Sequence, residues 1–597
     1  MTVLSLARFK YSWAAARSDL TAGATVAAIA VPQAMAYALI AGVDPRYGLY
    51  SAIIVTIVAA LLGSSSHLIN GPTNAISLVV FSALAPFAGH PGGVEALFLL
   101  GLIAGTIQVL IALLKLGDLT RYVSESVILG FMAGAGFLIA LGQVGNFVGV
   151  ARRGTGDQSV IVSTWQTLSQ GTFNVRAVLL GAATIAVVLL LHRFIRKHRL
   201  PRVDMLVGLI LASVVAAYFG WTSPGASGKT LVSVVGSIPA ALPAFHVPQI
   251  DLDWFGRLIK GAVAVALLGL LEALAVARSI ATYTREPLNY NRQCLAEGLG
   301  NVVGGFFQAL PGSGSLTRSA INYQSGAITR MSGIYSGIIV AVVVLLLGPY
   351  ARFIPKSVLA GLLFITAARL IDWKRLAYAM RASRYDAALV AVTAFTAIFI
   401  DVEDSILVGF VLSVLMYMPR ASKPAMRELI VTPERVIRER RAADERGNHI
   451  LIYDIEGELF FGAAPQLQRY FNEIAEEARS TGIKYVVLRL KRTRNADVVV
   501  VEHLEQFLRD AEKSNVTVCL AGIRPDLLRL LQNTGFTRWF PAAQLFPEEG
   551  RPLSATLHAV QHVNALVGGV SASANGAHLN GSAATRPGED ETLFYLV

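Results

Sequence analysis

The chain is organised around Leu310-Pro311-Gly312-Ser313-Gly314-Ser315-Leu316-Thr317-Arg318-Ser319. It interrupts a long apolar region with small residues, hydroxyls and one arginine. An arginine at membrane depth costs at least ~2.5 kcal/mol on insertion scales, so it marks function and should face protein or water. The proline and glycine ahead of it suit a span that begins in mid-membrane. Irregular backbone is tolerated there only when it is buried in protein or lines a cavity. A helix starting at that depth aims free N–H groups and its positive end into the cavity. With Arg318 alongside, the physical reading is an anion site; the alternative is a re-entrant turn whose arginine is satisfied by carbonyls.

The surrounding chain is built for a bilayer. Of its 597 residues 54% are hydrophobic and 15% charged, and the mean hydropathy is +0.55. About fourteen spans are expected, near 19–40, 46–63, 72–88, 95–114, 121–149, 174–192, 203–220, 257–281, 293–309, 316–329, 332–348, 355–371, 385–400 and 404–418. The net charge of +12 sits mostly between apolar runs, as membrane topology requires, so it does not point to nucleic acid. Alternate connections carry the basic residues: Arg8/Lys10/Arg17, Lys115/Arg121, Arg193 to Arg202, Arg278/Arg285/Arg292, Arg330, Lys374 to Arg384, and Arg420/Lys423. The opposite side holds Asp251/Asp253 and Asp401/Glu403/Asp404, with Arg152/Arg153 and Arg352/Lys356 weakening the contrast. Both termini are therefore expected in the cytoplasm, in a multi-pass protein of the plasma (inner) membrane without a cleavable signal. Cys294 and Cys519 fall in different regions, which gives no disulfide framework and no cysteine metal site.

A second break matches the first. Asn70-Gly71-Pro72-Thr73-Asn74-Ala75 opens the third span, as Pro311 to Ser315 opens the tenth. Counting from the eighth span, each is third of seven, and an odd number makes the two halves run in opposite directions. Paired Gly/Pro-interrupted segments at equivalent positions are the best sequence pointer to a transporter's mid-membrane site.

Residues 1–18 read as a cytoplasmic N-terminus, 19–419 as the transmembrane domain and 420–447 as a charged linker. Residues 448–545 read as a small α/β domain. Its strands are expected at 450–455, 458–461, 485–490 and 516–520, with helices near 464–480, 500–512 and from Pro525. The tail, 546–597, is rich in Gly, Ser, Ala and Asn from about 566 to 590 and reads as largely disordered.

Together these features resemble the SulP family of anion permeases (the sulfate-permease and prestin-like proteins). The resemblance rests on Pro32-Gln33-Ala34-Met35-Ala36-Tyr37-Ala38 with Ala41-Gly42, then Pro45-Arg46-Tyr47-Gly48-Leu49-Tyr50-Ser51. Gly63-Ser64-Ser65-Ser66-His67 leading to Gly71-Pro72 follows, with Glu297-Gly298-Leu299-Gly300-Asn301 leading to Ser315-Leu316-Thr317-Arg318-Ser319. The C-terminal domain resembles the STAS domain usual in that family, and the likeness covers roughly residues 15–545. It implies seven-plus-seven inverted repeats, with a core of spans 1–4 and 8–11 and a gate of spans 5–7 and 12–14. It also implies a homodimer in which core moves against gate as an elevator.

The substrate-binding candidates are Gln33, Tyr37, Thr73, Asn74, Ser315, Leu316, Thr317 and Arg318. Gln33 and Tyr37 lie four apart on one helix face, to bind an oxyanion or to pack helices; Pro32 would break that helix just before them. Thr73 and Asn74 sit at the first turn of span three, where N–H groups are free, and Ser315 and Thr317 are caps or ligands in span ten. The resemblance places Arg318 at the anion site, beside a position, Thr317, that is commonly serine. Glu272 lies among leucines and alanines. It reads as a proton site, a sodium ligand, or an ion-pair partner of Arg318.

No metal or other cofactor is expected, since His67, His90 and His192/His198 have no second ligand at useful spacing. Asp401-Val402-Glu403-Asp404 reads as a turn between the last two spans. In the STAS-like domain Val499 stands roughly where relatives carry a phosphorylatable hydroxyl, and Arg489/Lys491/Arg492/Arg494 reads as a solvated face or an acidic-ligand surface. The expected function is secondary transport of a small anion, sulfate before bicarbonate or dicarboxylate, coupled to protons. The other readings are a sodium-coupled bicarbonate symporter, a nucleobase-type permease, or a membrane-anchored STAS regulator; no feature supports an enzyme.

Overall fold

The structure is a computed structural model that describes residues 11–87, 92–117, 124–151, 158–198, 203–224, 230–249, 251–432, 437–441, 444, 449–548 and 554–574. The expectations resting on Arg8, Lys10, His90, Arg121, Arg152, Arg153, Arg199 and Arg202, and on the tail past residue 574, lie outside them. The chain divides into two compact units, Met1–Val414 and Leu415–Val597.

The first unit opens with α1 (Trp13–Ile40), α2 (Pro45–Leu62), β1 (Asn70–Gly71), α3 (Asn74–Ala83), α4 (Gly93–Leu113), α5 (Glu125–Val148), α6 (Val160–Gln170), α7 (Val175–His198) and α8 (Asp204–Tyr218). It continues with α9 (Leu252–Thr284), α10 (Tyr290–Phe306), β2 (Ser313–Gly314), α11 (Leu316–Gln324), α12 (Met331–Leu347), α13 (Lys356–Leu370), α14 (Trp373–Ala382), α15 (Arg384–Phe399) and most of α16 (Val402–Ala421), whose last residues belong to the second unit. Each of the fourteen expected spans is one of these helices; α6 and α14 are the additions. Both are short, and Ala379 is the only buried residue of α14, so neither gives an apolar run of spanning length. Among the described residues seven helices are long and apolar enough to cross a bilayer.

Packing sorts these helices into two groups. α1 lies against α2 and α12, and α10 against α2 and α4, while α5 lies against α13 and α15, and α7 against α13. The α4–α10 approach depends on small residues: a Cβ on Gly105 would stand 2.6 Å from the Val302 nitrogen, and one on Gly298 2.7 Å from the Val109 nitrogen. The expected break at Pro32 is absent. α1 runs unbroken through it, because proline removes a single ladder bond and the neighbouring helices hold the rest in line.

The second unit is a six-stranded sheet of order β4-β3-β5-β6-β7-β8. Its strands are β3 (Ala425–Val431), β4 (Ile437–Glu439), β5 (Ile450–Glu458), β6 (Tyr485–Arg494), β7 (Thr517–Ile523) and β8 (Leu545–Pro547). β3 runs antiparallel to β4 and β5, and the pairs from β5 to β8 are parallel. α17 (Ala464–Thr481), α18 (Val498–Lys513) and α19 (Pro525–Asn533) cover one face, burying Leu467, Phe471, Leu504, Phe507 and Leu531 with Leu451, Leu488 and Leu520. α20 (Ser554–Ala574) sets Ala559, Val560 and Val563 against Ile452, Val487 and Cys519 on the other. Burial there pushes the Cys519 thiol up to about 12.

Four expectations for this unit are corrected. The segment 420–447 is not all linker, since β3 and β4 lie within it. Their charges hid them: Arg427 pairs with Glu439 at 3.0 Å and Arg440 with Glu428 at 3.1 Å, the charged dress of strands at a sheet edge. The segment 546–597 is not all disordered, because small residues in α20 sit on the sheet. The strand expected at 450–455 is β5, which runs on to Glu458 with a register shift between Asp454 and Glu456, whereas the strand expected at 458–461 is not formed: the chain leaves the sheet after Glu458 and Phe461 opens a single 3-10 turn, Phe461–Ala463.

Arg489, finally, is not on a solvated face. Leu488 and Leu490 point to one side of β6 and Arg489 to the other, where it is 4% exposed and donates to its register partner Asp454 at 2.6 Å. Burial raises the Asp454 carboxyl above its ordinary range, and the Arg489 guanidinium opposes that rise. Lys491 and Arg492 pair with Glu548 and Glu456. Val499 sits in the first turn of α18, behind the N-cap Asp497.

Candidate anion site

Two strands of two residues carry the site. β1 pairs antiparallel with β2, Asn70 opposite Gly314 and Gly71 opposite Ser313, so the breaks ahead of α3 and α11 cross as one ladder. Ser315 N–H donates to the Ile69 carbonyl at 2.9 Å, and Ile69 N–H donates to Ser319 Oγ at 2.8 Å. The glycines are steric necessities. A Cβ on Gly312 would lie 2.7 Å from the Gly71 carbonyl, and one on Gly71, whose φ is +132°, would lie 3.1 Å from Arg318 Nη1. Asn301 clamps the Gly312 peptide, accepting its N–H at 2.8 Å and donating to its carbonyl at 3.0 Å.

Both half-length helices are capped where they leave the crossing. Thr73 Oγ1 accepts from Ile76 N–H at 3.3 Å, and Ser315 Oγ accepts from Arg318 N–H at 3.5 Å. Asn74 Oδ1 accepts from Ala75 N–H at 3.0 Å. Among the described residues the N–H groups of Leu316 and Thr317 have no partner, and both side chains are exposed. These are the free donors that a helix start supplies.

Arg318 is fully buried, the largest side chain so enclosed among the described residues. Its Nη2 donates to the Pro72 carbonyl at 2.8 Å, which ties α11 to the start of α3, while Nε and Nη1 have no partner among the described residues. Glu272 is not bonded to it. The carboxylate instead accepts from Thr73 Oγ1 at 3.0 Å, so the expected alternative of a plain Glu272–Arg318 ion pair is not formed. Tyr37 is buried within electrostatic reach of both charges. Gln33 is buried too, its Nε2 directed to Met205 Sδ at 4.0 Å and its Oε1 unpartnered.

The structure thus brings Thr73, Asn74, Ser315, Arg318, Glu272 and Tyr37 to one crossing, with Gln33 a turn along α1. Sequence reading passed over the supports: Asn301, Gln108, which accepts from Asn301 at 2.9 Å, and Ser313, which donates to the Gly269 carbonyl at 2.8 Å. Gln293, Glu297 and Asn301 recur every four residues, a polar stripe that could have announced a buried face of α10.

The comparisons place this membrane-spanning chain among anion transporters. The description "Sulfate permease family" matches residues 17–393 and "STAS domain" matches residues 441–551. The chain belongs to the sulfate permease family, with a STAS domain at its C-terminal end. It is 30% identical over 531 residues to the putative sulfate transporter YvdB of Bacillus subtilis, covering 88% of this chain and 96% of that one. It is 27% identical over 547 residues to the bicarbonate transporter BicA of Synechocystis, covering 90% and 93%. The murine solute carrier 26 family member A9 anion transporter superposes with a TM-score of 0.79 at 19% identity, covering 92% and 91%, a likeness of fold. The transmembrane domain of a cyanobacterial BicA gives 0.58 at 28% identity, covering 68% and 98%.

Proposed function

We propose that this protein is a secondary active transporter of small oxyanions, with sulfate its first substrate and bicarbonate or a dicarboxylate as the alternatives. The observation that carries the reading is Arg318, a fully buried cation with two unpartnered nitrogens at the meeting of two helix N-termini. Burying such a charge without a counter-charge is costly, and an oxyanion supplies one. The N–H groups of Leu316 and Thr317, the caps Thr73 and Ser315, and Asn74, Tyr37 and Gln33 complete the donor set. The names of the relatives, sulfate transporters and a bicarbonate transporter, agree with it.

The cycle is an elevator: the helix bundle holding α3 and α11 carries the anion past the bundle holding α5 and α13, in a homodimer. The protein resides in the plasma membrane with both termini cytoplasmic. Glu272 couples transport to protons. Its bond from Thr73, the cap of α3, lets its protonation reach the anion's donors directly. Uptake of labelled sulfate, bicarbonate, fumarate and uracil into liposomes, with imposed pH or sodium gradients, tests the reading. Sulfate accumulation driven by a pH gradient is expected, and accumulation of uracil alone would overturn it. In Glu272→Gln, exchange should persist while dependence on the pH gradient disappears; uptake still fully driven by pH would remove Glu272 from coupling.

A further inference from the structure

Behind the crossing lies a second acid. Glu297 on α10 is fully buried, and Asn70 of β1 is 2% exposed. Glu297 Oε1 accepts from Asn70 Nδ2 at 2.8 Å and from Gln293 Nε2 at 3.0 Å. The Gln293 amide is oriented from outside, because its Oε1 accepts from Ser64 N–H at 2.9 Å and from Ser65 N–H at 3.3 Å. Two acceptor atoms of the joined pair are left over: Glu297 Oε2 and Asn70 Oδ1, both buried and without a partner among the described residues.

An ionised carboxylate cannot resolve that pair of orphans. Both atoms would be acceptors, and a buried negative charge would have no cation bonded to it among the described residues. A neutral carboxylic acid resolves it, because its O–H is the one donor the pair lacks. Acid and primary amide then close a ring, with amide N–H to acid carbonyl and acid O–H to amide carbonyl. Half of that ring is already present in the Asn70–Glu297 bond.

We propose that Glu297 is a second proton-binding site, separate from Glu272, which holds its proton in a cyclic acid–amide pair with Asn70 and so secures the strand crossing that seats Arg318. Asn70 is the link: its carbonyl accepts from Thr56 Oγ1 at 2.7 Å, and its neighbour Gly71 lies against the Arg318 guanidinium. Several charged groups occupy the elements packed around Glu297. They are Glu272 on α9, Arg318 on α11, and the His67–Glu286 pair beside β1 at 3.8 Å. Arg330 is directed to the Gly63 carbonyl and Arg292 to the Leu62 carbonyl. Loss of the proton would set a carboxylate against the Asn70 carbonyl oxygen and loosen β1, so alkaline pH should weaken anion binding through this residue.

Infrared difference spectra of the purified full-length protein, wild type against Glu297→Gln, read the protonation state. The proposal expects the variant to lose one neutral-acid carbonyl band and no carboxylate band; loss of carboxylate bands instead would overturn it. Glutamine can form the same ring with Asn70, so the variant should keep sulfate affinity within about twofold at neutral pH. As pH rises into the alkaline range, wild type should lose about tenfold more affinity than Glu297→Gln, whose remaining pH dependence is that of Glu272; parallel losses would show that this proton does not secure the crossing. If Glu297→Gln does not fold, Asn70→Ser provides the second arm. The neutral-acid band should shift when the amide is removed, and an unmoved band would overturn the ring.

Discussion

Arg318 in the first unit and Arg489 in the second are both withdrawn from water, at 0% and 4% exposure, yet only Arg489 meets a carboxylate. Arg489 and Asp454 face each other across neighbouring strands and cancel each other's charge, although Arg489 Nε and Asp454 Oδ1 are left without partners. Arg318 has a carbonyl at Nη2 and nothing at Nε or Nη1, with the nearest functional acid bonded elsewhere. The same side chain therefore has its charge cancelled in one place and not in the other. A completed pair belongs to the architecture, whereas a buried cation without a bonded carboxylate is the basis of the anion site proposed here.

The contrast breaks most visibly by deleting one charge from the completed pair. Arg489→Leu should destabilise the second unit by about 3–5 kcal/mol, since it strands Asp454, and Asp454→Leu added to it should recover most of the loss. Denaturant titration of the full chain in detergent measures both. Arg318→Ala should act the other way round. It leaves the fold nearly intact, while sulfate affinity falls by about 10- to 100-fold, equivalent to about 1.5–3 kcal/mol for hydrogen bonds to a charged group. Calorimetric binding beside the same denaturant titration decides this, and a large stability loss with unchanged affinity would make Arg318 a second Arg489.

Smaller effects sharpen the picture. Thr73→Ala removes a cap and should cost about 1 kcal/mol, with a further loss of affinity if the α3 start is part of the anion's seat. The weakest effect concerns pH. Burial holds the folded Asp454 carboxyl above its unfolded value despite Arg489, so the folded state binds that proton more tightly. The associated stability is full below the unfolded value and declines as pH rises through the folded one. That component of the second unit's pH profile should vanish in Asp454→Asn.

Much of this was legible in the sequence. Pro311-Gly312 and Gly71-Pro72 are audible because glycine and proline stand out against apolar helix, and their equivalent positions gave the two repeats and the half-length helices. Arg318 and Glu272 stood out because charge is rare at that depth. What was hidden depended on partners far away in the chain. Nothing near Arg489 announces Asp454, which pairs with it only through strand register. Of the readings open to Glu272, the ion pair with Arg318 is not formed, because a hydroxyl from the other repeat, Thr73 Oγ1, bonds the carboxyl instead. β3 carries its charges outward and so lacked the apolar signature of a strand. Pro32 showed the opposite error, a local helix breaker overruled by its neighbours.

The ladder of Asn70–Gly71 with Ser313–Gly314 has an evolutionary consequence. If the two repeats descend from one ancestral segment, this is where they surrendered their independence. A bulkier residue at position 312 intrudes on position 71, so neither copy can drift here without the consent of the other. Substitutions at these four positions should be inherited as matched sets, and a transplanted half-site should fail unless its counterpart travels with it.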